Sequence, residues 1–195
     1  MPIELTNGSW RWGWAMDLHS KSSEFIAPGI WDTKYTPHGL FLNRIKYHGE
    51  KDRIQPLANN LAKFLSTLEG IEHLSSIIPV PPSTIRSFQP LVAIADALGE
   101  VLRVKVLHKF LLKTKNTESA KNMTHSEREE IFRDVFVLNP EVEADWVGKN
   151  ILLFDDLYDT GTTSRAICNV LYTHEFIENV YFLAITKTRR NPFNA

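Results

Sequence analysis

From Trp10 to Leu18 the chain alternates: Trp10, Trp12, Trp14, Met16 and Leu18 are apolar, with Arg11, Asp17 and His19 among the residues between and after them. Period two over nine residues predicts a half-buried antiparallel strand. The aromatic row suits core packing, and a base-stacking platform is the alternative use. A polar stretch from Ser20 to His38, broken by prolines, reads as strand fragments and loops. Ile54, Leu57, Ala58, Leu61, Phe64, Leu65 and Leu68 then recur every three or four residues and predict an amphipathic helix. After residue 71 the pattern becomes short apolar runs separated by helical periodicity. The runs are Ile77–Val80, Val104–Leu107, Val135–Leu138, Ile151–Phe154 and Val180–Ile185. Helical spacing appears through Leu91, Val92, Ala95, Leu98 and Leu102, and again through Ala166, Ile167, Val170 and Leu171. Continuous apolar strands alternating with helices predict a parallel sheet covered on both faces. The expected architecture is α/β, with residues 1–70 as an amino-terminal hood containing antiparallel strands and residues 71–195 as the core.

Composition narrows the classes. At 195 residues the chain is one domain's worth and can bury a core without disulfides or metal. Twenty-two Lys plus Arg against 23 Asp plus Glu leave a net charge of -1, so no global field favours nucleic acid or an anionic membrane. The single cysteine, Cys168, excludes a disulfide framework and any multi-cysteine zinc site, and among apolar helical neighbours it is expected as a buried filler. The seven histidines form no cluster at metal-ligand spacing. The Met-Pro-Ile-Glu start has no basic region followed by an apolar run, and no stretch approaches 18 apolar residues; a soluble cytoplasmic protein is the expectation.

The chemistry concentrates between Ile151 and Ser164. Four large apolar residues are followed by Asp155 and Asp156, then by a loop with Thr160, Gly161, Thr162 and Thr163, then by a helix. Ligands of open α/β sheets sit beyond the carboxyl ends of the strands. Amides and hydroxyls at a helix start, next to a glycine turn, suit an anion such as phosphate. Carboxylates repel phosphate, so Asp155 and Asp156 need another part of the ligand: a diol or a hydrated Mg²⁺. A 5-phosphorylated ribose combines these features. Asp, Gly and Thr at strand–helix junctions also serve as plain turn and cap residues, but two consecutive acids exceed what a cap requires. Dinucleotide and P-loop readings lack their glycines or lysine. The Asp159-Thr160-Gly161 triplet of an aspartic protease would need a second copy, which the sequence does not contain.

The run Ile151–Thr163 resembles the PRPP-binding signature of type I phosphoribosyltransferases. Ile77-Ile78-Pro79-Val80-Pro81-Pro82-Ser83 with Arg86 and Gln89-Pro90 resembles the pyrophosphate-loop region of their ComF-like branch. Gly13–His19 and Leu42–Gly49, the latter containing Lys46-Tyr47, are similar to two further elements of that branch. Two departures stand out: the branch's amino-terminal cysteine zinc ribbon is missing, and Arg128 is followed by Ile131 where an Arg-x-x-Asn is common.

The resemblance implies a type I phosphoribosyltransferase-like sheet and a reaction in which a small nitrogen acceptor displaces pyrophosphate from PRPP. Asp159, Thr160, Gly161, Thr162 and Thr163 would hold the 5-phosphate. Asp155 and Asp156 would bind the ribose hydroxyls and Mg²⁺, directly or through water. Pro82, Ser83 and Arg86 would face pyrophosphate. A mobile loop with Lys113, Lys115, Lys121 and Arg128 would close over the site. Arg86, Asp155, Asp156 and Asp159 are the implied catalytic set; Asp159 sits where some purine-specific relatives place a base that assists the nucleophile. The alternative is a non-catalytic PRPP sensor, or a binding module tied to competence and DNA uptake. Nucleic acid is left open but not indicated by charge, a membrane partner is not expected, and a homodimer is compatible with the pattern.

Overall fold

The structure, a computed structural model, describes residues 1–84, 86–115, 135–142 and 147–189. Its centre is a six-stranded sheet of β1 (Ile3–Glu4), β2 (Trp12–Leu18), β5 (Ser76–Pro79), β6 (Lys105–Val106), β9 (Asn150–Tyr158) and β10 (Asn179–Lys187), in the order β1-β2-β10-β9-β5-β6. All neighbours run parallel except β1, which pairs antiparallel with β2. Two antiparallel ribbons lie outside this sheet: β3 (Ser20–Ala27) with β4 (Ile30–Tyr35), and β7 (Leu111–Lys113) with β8 (Phe136–Leu138).

Alternation along the central strands divides the core between the two faces of the sheet. On β9 and β10, Leu152, Phe154, Tyr181, Leu183 and Ile185 face one way, packing with α1 (Pro37–His48), α2 (Ile54–Leu65) and α3 (Pro90–Leu102). Ile151, Leu153, Val180, Phe182 and Ala184 face the other, against α4 (Thr162–Leu171) and the β7–β8 ribbon. Both faces being covered is why these strands read as unbroken apolar runs. Cys168 is fully buried in α4, and burial pushes its thiol up to about 12, as suits a filler.

Four expectations change. The amino-terminal strand is antiparallel only to β1; its other neighbour is β10, to which it is parallel. Period two reports a half-buried strand but not the direction of its partner. Trp10 precedes that strand and packs on the opposite face from Trp12 and Trp14, stacked on Phe182 at 4.9 Å with Nε1 donating to the Leu5 carbonyl. Trp12 stacks on Tyr181 and Trp14 meets Phe64 edge-on, so the aromatic row is used in packing. The Val135–Leu138 run is not a strand of the parallel sheet: its residues 136–138 pair antiparallel with β7. Finally, residues 37–48 form a helix that the sequence pattern does not announce.

That helix, α1, is tied to the end of β2. Pro37 opens it, and the Thr36 hydroxyl accepts from the Gly39 amide while donating to the Leu18 carbonyl. A Cβ on Gly39 would lie 1.9 Å from the His19 carbonyl oxygen, so only glycine allows this approach. Replacing glycine by alanine inside a helix ordinarily stabilises by about 1 kcal/mol. Here Gly39→Ala is expected to destabilise by about 1–3 kcal/mol, because backbone must move. Urea unfolding measures it, and a neutral or stabilised variant would mean that α1 is not seated on β2.

Candidate functional site

The site arises from unequal strand lengths. β9 pairs with β5 only through Phe154, opposite Pro79, and the Val80 amide makes the last bond to Phe154. On its other side β9 continues against β10 as far as Tyr158, opposite Lys187. Asp155 and Asp156 therefore do not follow the strand, as the sequence suggests; they lie within it, beyond the point where β5 has turned away at Pro81. From β5 the chain crosses through α3 on one face, and from β9 it crosses through α4 on the other. The gap between β5 and β9 is thus a topological switch point, where open α/β sheets form their ligand crevices.

A cleft of about 310 Å³ opens there. It gathers Asp155, Asp156, Thr163, Pro82, Ser83, Arg86 and Lys113 of the sequence-derived set, together with Lys46, Pro81, Thr84, Gln89 and Phe136. Gln89 Nε2 bonds the Thr84 carbonyl at 3.2 Å and closes the loop that carries Arg86. The Arg86 guanidinium lies 5.8 Å from the Tyr47 ring centre. Lys113 and Phe136 bring the β7–β8 ribbon to the cleft wall.

The two carboxylates are held differently. Asp155 Oδ1 accepts the Asp156 amide at 2.8 Å, and its carboxyl is pushed up to about 7, first by burial and then by the Asp156 charge. Asp156 Oδ2 is ion-paired with Lys46 Nζ, and its backbone carbonyl accepts from the Thr186 hydroxyl at 3.1 Å. Since that hydroxyl has one proton, the 3.2 Å contact between Thr186 Oγ1 and His19 Nδ1 is donated by His19. The imidazole is held below its usual value by burial and by Lys46.

The glycine turn is less open than its sequence suggests. Gly161 starts α4 in the left-handed region at φ 79°, and a Cβ there would meet the Tyr158 hydroxyl at 2.4 Å. The Thr160 and Thr162 hydroxyls bond each other at 2.8 Å, and Arg165 donates to the Thr160 carbonyl. Only Thr163 of this group borders the cleft among the described residues; Thr160, Gly161, Thr162 and the exposed Asp159 do not. Thr163 and Ser164 lie in the first turn of α4, where amides have no intrahelical acceptor. Lys115 also lies off the cleft, and Lys121 and Arg128 are outside the described residues. Lys46 is the residue the sequence did not nominate: its motif was visible, but without α1 nothing placed it near Asp156.

Among the described residues no three His, Cys, Asp or Glu side chains converge as metal ligands. The adjacent carboxylates at the cleft fit Mg²⁺ in its usual manner, one or two acids completed by waters and substrate phosphates. No helix among the described residues is long and apolar enough to cross a membrane.

No protein-family model matches the sequence, and no curated protein matches it. Solved structures do show similarity at low identity. They include a Trypanosoma cruzi hypoxanthine phosphoribosyltransferase, with 21% identity over 74% of this chain and 69% of that one and a TM-score of 0.43. Adenine phosphoribosyltransferase of Saccharomyces cerevisiae gives 14% over 84% and 82%, with a TM-score of 0.40. That of Thermoanaerobacter pseudethanolicus gives 15% over 85% and 94%, with a TM-score of 0.42.

The environment of Asp155 sets a pH dependence. Its carboxyl titrates at about 7 in the folded chain against an ordinary 3.8, so the folded state holds the extra proton between those values. Stability contributed by this group is complete below pH 4 and is lost as pH rises through 7. Asp155→Asn is expected to flatten that fall and to stabilise the protein at pH 8 by on the order of a few kcal/mol. Urea unfolding at pH 5 and pH 8 measures both.

Proposed function

We propose that the protein binds PRPP in this cleft and transfers its 5-phosphoribosyl group to a small nitrogen acceptor, releasing pyrophosphate. The observation that carries the reading is the meeting, at one switch point, of an acid pair and the helix start that follows it in sequence with the cationic loop carrying Ser83 and Arg86 from a distant segment of chain. Thr163 and the first turn of α4 would take the 5-phosphate, with Thr160, Gly161 and Thr162 shaping the turn behind them. Asp155 and Asp156 would bind the ribose hydroxyls. Pro81, Pro82, Ser83 and Arg86 would face the pyrophosphate, with Lys113 on the adjoining wall of the cleft. Residues 1–70 supply the acceptor-side hood in this reading and 71–195 the core, although β1 and β2 are shared into the sheet.

In the reaction the bond from C1 to the pyrophosphate oxygen breaks, its electrons leaving with pyrophosphate, and a bond from the acceptor nitrogen to C1 forms. Negative charge grows on the leaving group, where Arg86 would stabilise it, and positive charge grows on the ribose, where the acids would. Asp155 and Asp156 would hold Mg²⁺, which neutralises pyrophosphate charge when bound. Asp159 stands exposed at the turn beyond the acids, and its proposed role as a base for the acceptor rests on sequence position alone.

Ligand binding raises stability by mass action. PRPP with Mg²⁺ is expected to raise the melting temperature, and Asp155→Asn with Asp156→Asn to abolish the rise. Pyrophosphate release over a panel of purines, pyrimidines and amines then identifies the acceptor, and Arg86→Ala should slow it about 10²–10³-fold. Absence of any PRPP-dependent shift would overturn the reading. A shift without turnover on every acceptor would make the protein a PRPP sensor.

A further inference from the structure

Lys46 sits on the carboxylate that a divalent cation would otherwise use, and three features hold it there. The start of α1 is fixed to β2 through Thr36 and Gly39, and Leu42 and Ile45 are buried on the sheet. Ile45 therefore fixes the rotation of the helix so that the next residue reaches over the carboxyl ends of the strands. The Lys46 and Asp156 side chains are 19% and 22% exposed, a degree of shielding under which ion pairs are screened less than at an open surface. The main chain of Asp156 is held separately by Thr186, itself bonded to His19. Tyr47, the residue after Lys46, lies against Arg86. One helix thus reaches both the acid pair and the loop facing it.

We propose that Lys46 is the resident counter-ion of the acid pair: a positioning residue that neutralises Asp156 in the free protein and excludes free divalent cations from it. The inference deepens the PRPP reading, because it specifies what holds the acids before the ligand arrives. An acid pair with no cation beside it would attract Mg²⁺ or Mn²⁺ from solution and hold the site charged and hydrated. With Lys46 in place the pair is already compensated.

The test titrates Mn²⁺ alone, followed by water-proton relaxation, into the wild type, Lys46→Met, Lys46→Arg and Lys46→Met/Asp156→Asn. The wild type and Lys46→Arg are expected to bind no Mn²⁺ below about 1 mM, weaker than dedicated protein sites. Lys46→Met should bind it at least about tenfold more tightly, since a charge at contact distance has been removed, and the double variant should lose that gain. Calorimetry then measures PRPP binding with Mg²⁺ and with EDTA. Lys46→Met should make binding depend on Mg²⁺ at least about tenfold more strongly than in the wild type, and Lys46→Arg should restore wild-type behaviour. Unchanged Mn²⁺ affinity in Lys46→Met would overturn the proposal. So would loss of the fold in both Lys46→Met and Lys46→Gln by circular dichroism, which would make Lys46 a structural anchor. If the wild type binds no PRPP, the ligand reading fails, while the Mn²⁺ titration still decides the role of Lys46.

Discussion

The site depends on a mismatch of four residues between neighbouring strands. β5 ends at Pro79 and β9 runs on to Tyr158 against β10 alone. Had β5 continued, its backbone would cover the edge along which Asp155 and Asp156 lie, and a proline-rich turn would have nowhere to face them. Pro81 and Pro82 enforce the departure, since neither has an amide to donate to a ladder. Pairing with β10 fixes the acids at the same time. The side chains are presented by a strand rather than a loop, so their spacing and orientation follow from the pleat. A binding group on a regular element pays less ordering cost on meeting its ligand than one on a mobile loop.

Placing two adjacent carboxylates on a half-buried strand is unfavourable unless other groups compensate. Three do so here. The Asp156 amide donates to Asp155, Lys46 pairs with Asp156, and the proton that Asp155 retains up to about pH 7 removes one of the two charges in mildly acid conditions. The compensation is unequal, which separates two otherwise similar acids. Asp155 is held by backbone and by burial, whereas Asp156 is held by a side chain from the amino-terminal quarter of the molecule. Any displacement of α1 therefore reaches the acid pair through one ion pair.

What the sequence reveals follows from how many faces an element buries. β9, β10, α2, α3 and α4 are legible because their apolar spacing is dense: Ile151–Phe154 and Val180–Ile185 are buried on both sides, and α2 presents Leu57, Ala58, Leu61 and Leu65 to a single core. α1 is not, because Gly39, Leu42 and Ile45 are its only buried positions and its anchors are a cap and a close backbone approach. The direction of β2 is invisible because its parallel neighbour, β10, is the last strand among the described residues, far from β2 in sequence. The acid pair and the Thr163 helix start could be read as chemistry from their order alone. The bonding of Thr160 to Thr162, and the Lys46 contact, could not, since each is set by tertiary geometry rather than by neighbours in sequence.

The order of groups across the cleft limits what can occupy it. Thr163 and the start of α4 lie on the β9 side, the acids lie along β9 itself, and Ser83 and Arg86 lie on the β5 side, with Lys113 on the adjoining ribbon. A ligand with a single phosphate could satisfy one flank and would leave the other flank's donors and charge exchanging only with water. A nucleic-acid backbone repeats its anionic groups and has no segment that seeks carboxylates, so the acid pair would oppose it. A neutral sugar would satisfy the acids and neither flank. In the proposed reading, a molecule with anionic ends and a hydroxylated middle would meet all three zones at once, and that combination, rather than any single residue, is the argument for a phosphorylated sugar carrying a second phosphate group.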